Sequence, residues 1–300
     1  MLASRDHAPI VSIGLAVRNG RQVVGRCIES VLSQDFADLE LVVCDNASDD
    51  GTIETVEEYA RMDRRVRLSV NPINIGSHEN MNRVLGAGRG SLFRWISADD
   101  WLEPGCLSAC VQALERCPEA LGVTTWFTIH TADGSTRFEE YGGEFPTSLD
   151  PARRFERMLW FFHAGDAKYD PIYGVYRRDR LMCSHRLRPF ERTDWLLSAE
   201  LALMGPIVHV GARLAHRTRS YPVGSELSVH RRRLDPVRAE QLPASPRNLC
   251  SELLALAVAR DLTERQRRRC TRALRGFWVK EVARIGRLHA AGAKHRLRSG

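Results

Sequence analysis

The sequence predicts an α/β fold built on a doubly wound sheet flanked by helices, and two observations lead there. Short, almost wholly apolar runs recur at residues 10–17, 39–44, 66–70 and 91–97. Between them lie segments of helical length whose apolar residues recur every three or four positions. Strands alternating with helices form βαβ units, and strands buried on both faces lose the apolar/polar alternation of half-exposed ones. A third observation points to the working edge: residues 91–101, SLFRWISADDW, read as a strand ending in two consecutive acids, Asp99 and Asp100. Open α/β sheets bind ligands outside the carboxyl ends of their strands.

Residues 10–17 (IVSIGLAV) are the first buried strand, and Arg18-Asn19-Gly20 the turn after it. Val23, Val24, Cys27, Ile28, Val31 and Leu32 then mark one face of a helix reaching Gln34. Residues 39–44 form the second strand, which ends at Asp45. In the following NASDDG, Ser48, Asp49 or Asp50 is suited to cap a helix over 52–61. A strand at 66–70 runs into NPINIG and a helix carrying Met81, Val84 and Leu85. After the acid pair, Pro104-Gly105 opens a helix through Arg116. Residues 121–130 are rich in β-formers and turn through Ala132-Asp133-Gly134 into a hairpin. Residues 151–163 start at a proline suited to a first helical turn and carry an aromatic stripe that reads as core. Residues 172–177 read as a strand, Thr193-Asp194-Trp195 opens a helix stopped at Gly205-Pro206, and 207–214 is the last clear strand. Beyond residue 235 the chain becomes helical and rich in arginine.

With 300 residues, 43% hydrophobic and 27% charged, the chain is expected to be a soluble globular protein. Its net charge of +7 suits an anionic partner. No apolar run approaches the roughly 18–20 residues that span a bilayer. MLASRDHAPIV carries charge and Pro9 where a secretory signal needs an apolar stretch, so a cytoplasmic protein is expected. Eight cysteines include no CxxC pair, and reduced thiols are the expectation. A dinucleotide-binding domain would share the alternation, and an acid does end the second strand. Its first βα turn needs GxGxxG, however, and Arg18-Asn19-Gly20-Arg21 supplies one glycine.

The segments VSIGLAVRNG, ESVLSQ, LELVVCDNASDDGT, NPINIG, GRGSLFRWISADD and TDWLLSAELALMG, in that order, resemble the family 2 glycosyltransferases of the GT-A fold over residues 9–220. The resemblance implies a nucleoside-diphosphate sugar donor and an inverting transfer to a carbohydrate, lipid-linked or other hydroxyl acceptor. It implies nucleotide-sugar contacts at Asp45, Arg18, Asn74 and Asp99, with Asp45 at the nucleobase. It implies Mn2+ or Mg2+ held by Asp100 and Asp99, although relatives often carry another acid where this chain has Ser97. It implies the catalytic base at Asp194, whose carboxylate form a helix N-terminus favours. Residues 1–235 would form the transferase domain, with 9–100 binding the nucleotide and 101–220 shaping the acceptor site. Residues 236–300 would be a basic helical extension able to touch an anionic membrane. The role of His216 stays open, with a surface histidine the favoured reading, and Arg217 and Arg219 could reach the diphosphate, although basic loop residues are usually just solvated. Relatives often carry a histidine near the end of this core, and Tyr221 falls close to its usual place before proline.

Two other readings compete. A sugar-phosphate nucleotidyltransferase would want a glycine-rich phosphate loop after the first strand. A non-enzymatic polyanion-binding protein is suggested by RQRRR at 265–269, although a solvated helix face explains that run, and no nucleic-acid partner is expected.

Overall fold

The computed structural model describes residues 7–138, 143–164, 171–219 and 246–298. Tyr221 and the 235/236 boundary lie outside them. The strands are β1 (Val11–Val17), β2 (Leu39–Asp45), β3 (Val66–Val70), β4 (Leu92–Ile96), β5 (Trp101–Leu102), β6 (Gly122–Thr131), β7 (Thr136–Phe138), β8 (Val175–Arg177) and β9 (Ile207–Arg219). The helices are α1 (Arg21–Leu32), α2 (Thr52–Met62), α3 (Ser77–Ala87), α4 (Cys106–Arg116), α5 (Pro151–Phe161), α6 (Arg178–Met182), α7 (Thr193–Met204), α8 (Pro246–Val258) and α9 (Glu264–Arg298).

Among the described residues the strands form one mixed sheet in the order β3-β2-β1-β4-β8-β6-β9-β5, with β7 on β6. β3, β2, β1 and β4 are parallel. The chain leaves β1 toward β2 and β3, then crosses back to place β4 on the other side of β1. That reversal is a topological switch point, and open α/β sheets bind ligands at such a point, outside the carboxyl ends of strands such as β1 and β4. β8 joins β4 and β6 antiparallel, and β6 and β9 are parallel.

Helices cover both faces. α1, α2 and α4 bury Val24, Ile28, Val56, Leu107 and Leu114 against one side. α3, α5, α7, α8 and α9 pack Leu85, Phe155, Leu201, Leu253 and Phe277 on the other. The C-terminal helices therefore add their apolar stripes to the same core as α5 and α7. Gly14 lets α3 approach closely: a Cβ there would lie 2.4 Å from both Phe93 and Val84. Asp150 caps α5 by accepting from the Ala152 N–H at 3.0 Å, ahead of Pro151. α7 is buried nearly all round, as a helix wedged inside a protein must be.

Two expected elements change shape. Of the strand expected at 172–177, only Val175–Arg177 pairs. Pro171–Tyr173 is a 3-10 turn, closed by the Gly174 N–H donating to the Pro171 carbonyl at 2.9 Å. The strand expected at 207–214 continues to Arg219, because β6 and the two-residue β5 both pair with its second half.

Candidate active site

At the switch point, β1 runs into Arg18-Asn19-Gly20 and β4 into Ser97–Asp100. The β1–α1 loop is laced to the β2–α2 loop. The N–H groups of Asn19 and Gly20 donate to Ser48 Oγ and Thr52 Oγ1, both at 2.9 Å, and the Arg21 N–H donates to Asp50 Oδ2 at 3.1 Å. In return Asn19 Oδ1 accepts from the Asp49 N–H at 3.1 Å. Asn19 has a φ of 52°, a left-handed conformation that asparagine tolerates better than most residues. Asp50 also accepts from the Thr52 N–H, which makes it the side chain serving the start of α2. Arg18 stands exposed at the rim.

Asp45 ends β2 with no accessible surface. Its Oδ1 accepts from the Ser48 N–H at 2.8 Å and its Oδ2 from the Ser48 hydroxyl at 2.6 Å, so the carboxylate folds the loop back on itself. Asn46 lies beneath it in a buried amide network. Its Nδ2 donates to Asn74 Oδ1 at 2.8 Å, and its Oδ1 accepts from Asn71 Nδ2 and the Ile75 N–H. Asn71 also donates to Asn80 Oδ1, and Asn80 Nδ2 donates to the Cys44 carbonyl. Asn74 is half-buried and accepts from the Gly76 N–H as well. Asp45 and Asn74 thus hold adjacent loops, Asp45 through Ser48 and Asn74 through the amide network, and both have structural duties there.

Asp100 is 5% exposed. Its Oδ1 accepts from the backbone N–H of Thr218 at 3.0 Å, and its Oδ2 lies 3.7 Å from Arg217 Nε. Burial pushes the carboxyl up to about 7, with Asp99 adding to the rise and Arg217, the Thr218 N–H and buried Arg94 opposing it. Asp99 is half-buried, and its carbonyl accepts from Arg26 Nη2 at 3.1 Å and Thr218 Oγ1 at 2.8 Å. Ser97 shares a hydrogen bond with the Tyr173 hydroxyl at 3.2 Å, and the Arg217 guanidinium lies 4.3 Å from the Tyr173 ring centre. The side chain of Arg219 lies outside the described residues.

The expectation of a surface His216 is overturned. β5 pairs with β9 at Trp101 and His216, which stack at 4.6 Å and 5°. His216 Nε2 is hydrogen-bonded to Glu103 Oε1 at 2.6 Å, and His216 Nδ1 to His130 Nε2 at 3.0 Å. Burial, His216 and Arg26 together hold the His130 pKa below its usual value. Arg26 lies 3.7 Å from the Trp101 ring centre. Asp194 comes from a separate element, the first turn of α7, where it is half-buried. The Pro171–Tyr173 turn packs against both β4 and α7.

A sequence model of glycosyl transferase family 2 matches residues 12–175, more than half of the chain. The chain belongs to that family. An uncharacterized glycosyltransferase of Haemophilus influenzae is 30% identical over 111 residues, which are 37% of this chain and 34% of that protein. The chondroitin synthase of Escherichia coli is 31% identical over 114 residues, 38% of this chain and 16% of the synthase. The chain thus matches about a third or less of the length of these relatives. Among solved structures, TarS of S. aureus in complex with UDP superposes with a TM-score of 0.64 at 14% identity, over 89% of this chain and 70% of that one. The mannosyltransferase PcManGT of Pyrobaculum calidifontis, in complex with GDP-Man and Mn2+, gives 0.53 at 18%, over 97% and 81%. The fold is the GT-A fold.

For this family 2 chain, the acids at the ends of β2 and β4 stood out in the sequence because each closes a continuous apolar run. Thr218, Tyr173, His130 and Glu103 gave no such signal. They reach the site through pairing of β5 and β6 with β9 and through a 3-10 turn in place of a strand.

Proposed function

We propose that the chain transfers a sugar from a nucleoside diphosphate to an acceptor hydroxyl, with inversion, in making a polysaccharide or glycoconjugate. The reading rests on the Asp99-Asp100 pair at the switch point of a GT-A sheet. Solved structural relatives in complex with UDP, UDP-GlcNAc and GDP-Man support a nucleotide-sugar donor. A hard divalent cation fits the donor set: two neighbouring carboxylates, one of them desolvated and pushed toward neutrality by burial. Among the described residues no group of three or more His, Cys, Asp or Glu gathers for a metal. Mn2+ or Mg2+ would therefore take its other ligands from phosphate and water. Such an ion supplies Lewis-acid stabilisation of the charge that develops on the leaving diphosphate.

The remaining work falls to the chain itself. Asp194 takes the proton of the acceptor hydroxyl as that oxygen attacks the sugar carbon opposite the departing diphosphate. Arg18 at the rim offers a cation to the donor, and Arg217 steadies Asp100. Asp45 and Asn74 shape the nucleotide loop, and Asp45, which has no accessible surface while Ser48 covers it, reaches a base edge only when that loop moves aside. Residues 1–235 form the transferase domain and 236–300 its extension. No described helix is long and apolar enough to cross a membrane. Exposed Arg265, Arg268 and Arg272, with exposed Val279 and Val282 further along α9, support contact with the anionic inner face of a membrane from the cytoplasm.

Nucleoside diphosphates with and without Mn2+ test the donor site. A ligand at 100 times its Kd raises stability by about 2.7 kcal/mol, and the rise should require the cation. Asp194→Asn should keep that binding while kcat falls about 10²- to 10⁴-fold. Wild-type transfer by Asp194→Asn would place the base elsewhere.

A further inference from the structure

Glu281 lies near the middle of α9, within the basic extension, yet it has no accessible surface. Three side chains converge on it. Its Oε1 accepts from Arg192 Nη1 and from Arg284 Nη2, the latter at 2.8 Å. Its Oε2 accepts from Arg284 Nε at 3.0 Å and is bonded to His163 Nε2 at 2.9 Å. Burial alone would raise its pKa, but these partners hold the carboxyl well below the usual range. A solvated helix face has no need of a buried carboxylate.

The partners of Glu281 surround one place. Arg192 is the residue from which α7 starts, and its carbonyl accepts the first helical N–H bonds, from Trp195 and Leu196. The Arg192 guanidinium lies 4.6 Å from the centre of the Trp195 ring. On its other sides Trp195 stacks on Phe162 at 4.6 Å and meets His163 and Phe277 edge-on. Asp194 stands between Arg192 and Trp195. The residues on both sides of it are therefore held by α5 and α9, with Glu281 as the shared anchor.

We propose that Glu281 is a positioning residue for transfer: through Arg192 and the Trp195 box it fixes the first turn of α7 and hence the carboxylate of Asp194. This inference rests on the reading of Asp194 as the base. It makes the C-terminal extension part of the catalytic unit, because the carboxylate that anchors the base comes from α9.

The test uses the full chain with Glu281→Gln, Arg192→Gln and Glu281→Asp, and with Arg275→Gln as a control at an exposed position of α9. Displacing a catalytic group by about 1 Å can cost about 10²-fold. Glu281→Gln and Arg192→Gln should each lower kcat by about 10- to 100-fold, with the Kd for nucleoside diphosphate unchanged, while Glu281→Asp recovers part of the rate and Arg275→Gln keeps all of it. Added to Asp194→Asn, neither Gln variant should lower kcat further, since the group being positioned is already gone. Wild-type kcat in folded Arg192→Gln, or a full additional loss on the Asp194→Asn background, would overturn the proposal. Should Glu281→Gln fail to fold, Arg192→Gln decides, because there Glu281 keeps Arg284 and His163. Failure of the base itself would look different: Asp194→Asn alone would then transfer at the wild-type rate.

Discussion

The carboxylate of Asp100 accepts a hydrogen bond from the backbone N–H of Thr218 at 3.0 Å, tying the loop between β4 and β5 to the end of β9. The donor is main chain, so the contact survives any change of side chain at 218 except proline. Asp100→Asn keeps an oxygen for that N–H and removes only the charge. The fold should persist, and Mn2+ should cease to strengthen nucleoside diphosphate binding. The expected loss is about 10- to 100-fold in affinity, the scale of a charged contact worth about 1.5–3 kcal/mol. Calorimetric titration with and without Mn2+ checks this. Metal-dependent affinity retained by the variant would move the cation away from Asp100.

Asp45 has a base to read on one view and a turn to hold on the other, and Ser48 separates them. Both observed contacts of the Asp45 carboxylate are to Ser48. Asp45→Ala should weaken nucleoside diphosphate binding by about 1.5–3 kcal/mol. A contact to the base edge makes that loss differ between uridine and guanosine diphosphates, whereas Ser48→Ala weakens both alike. Equal losses for both nucleotides in Asp45→Ala would leave the residue with its turn alone.

The amide network under that loop is a matter of stability. Asn80 is 1% exposed, accepts from Asn71 and donates to the Cys44 carbonyl. Asn80→Ala strands both partners without solvent. Each unpaired buried group costs about 1–3 kcal/mol, so a loss of about 2–6 kcal/mol is expected in urea unfolding. A loss below about 1 kcal/mol would mean that water reaches the site.

How far the sequence revealed this molecule follows from what burial does to residue choice. β1, β2 and β4 are buried on both faces, so they appear as continuous apolar runs, and Asp45 and Asp99-Asp100 are conspicuous at their ends. The 3-10 turn at Pro171–Tyr173 was not legible, because IYGVYR has strand chemistry and only packing against β4 and α7 decides its shape. His216 looked like a surface residue, since nothing in a chain of basic residues tells of a Trp101 ring paired to it across two strands. Glu281 was hidden for the same reason: an acid in a charged helix reads as solvated. Its burial depends on Arg192 and His163, which arrive from elsewhere in the chain.

Glu281 also predicts how stability should vary with pH. Its folded pKa is depressed below the ordinary value of 4.5, so its contribution is fully present above that value and is lost as pH falls below it. At neutral pH, Glu281→Gln leaves Arg192 and Arg284 uncompensated and should cost about 3–5 kcal/mol, as breaking a buried ion pair does. Below pH 4.5 the unfolded wild-type chain takes up a proton that the folded chain refuses. The gap between wild type and Glu281→Gln should therefore close by about 1.4 kcal/mol per pH unit, since the other carboxylates titrate alike in both. Urea unfolding of the two proteins at pH 7, 5.5, 4 and 3 measures that gap. A gap that stays constant from pH 7 to pH 3 would mean that Glu281 titrates alike in the folded and unfolded chains, and would remove the charge from the anchor of α7.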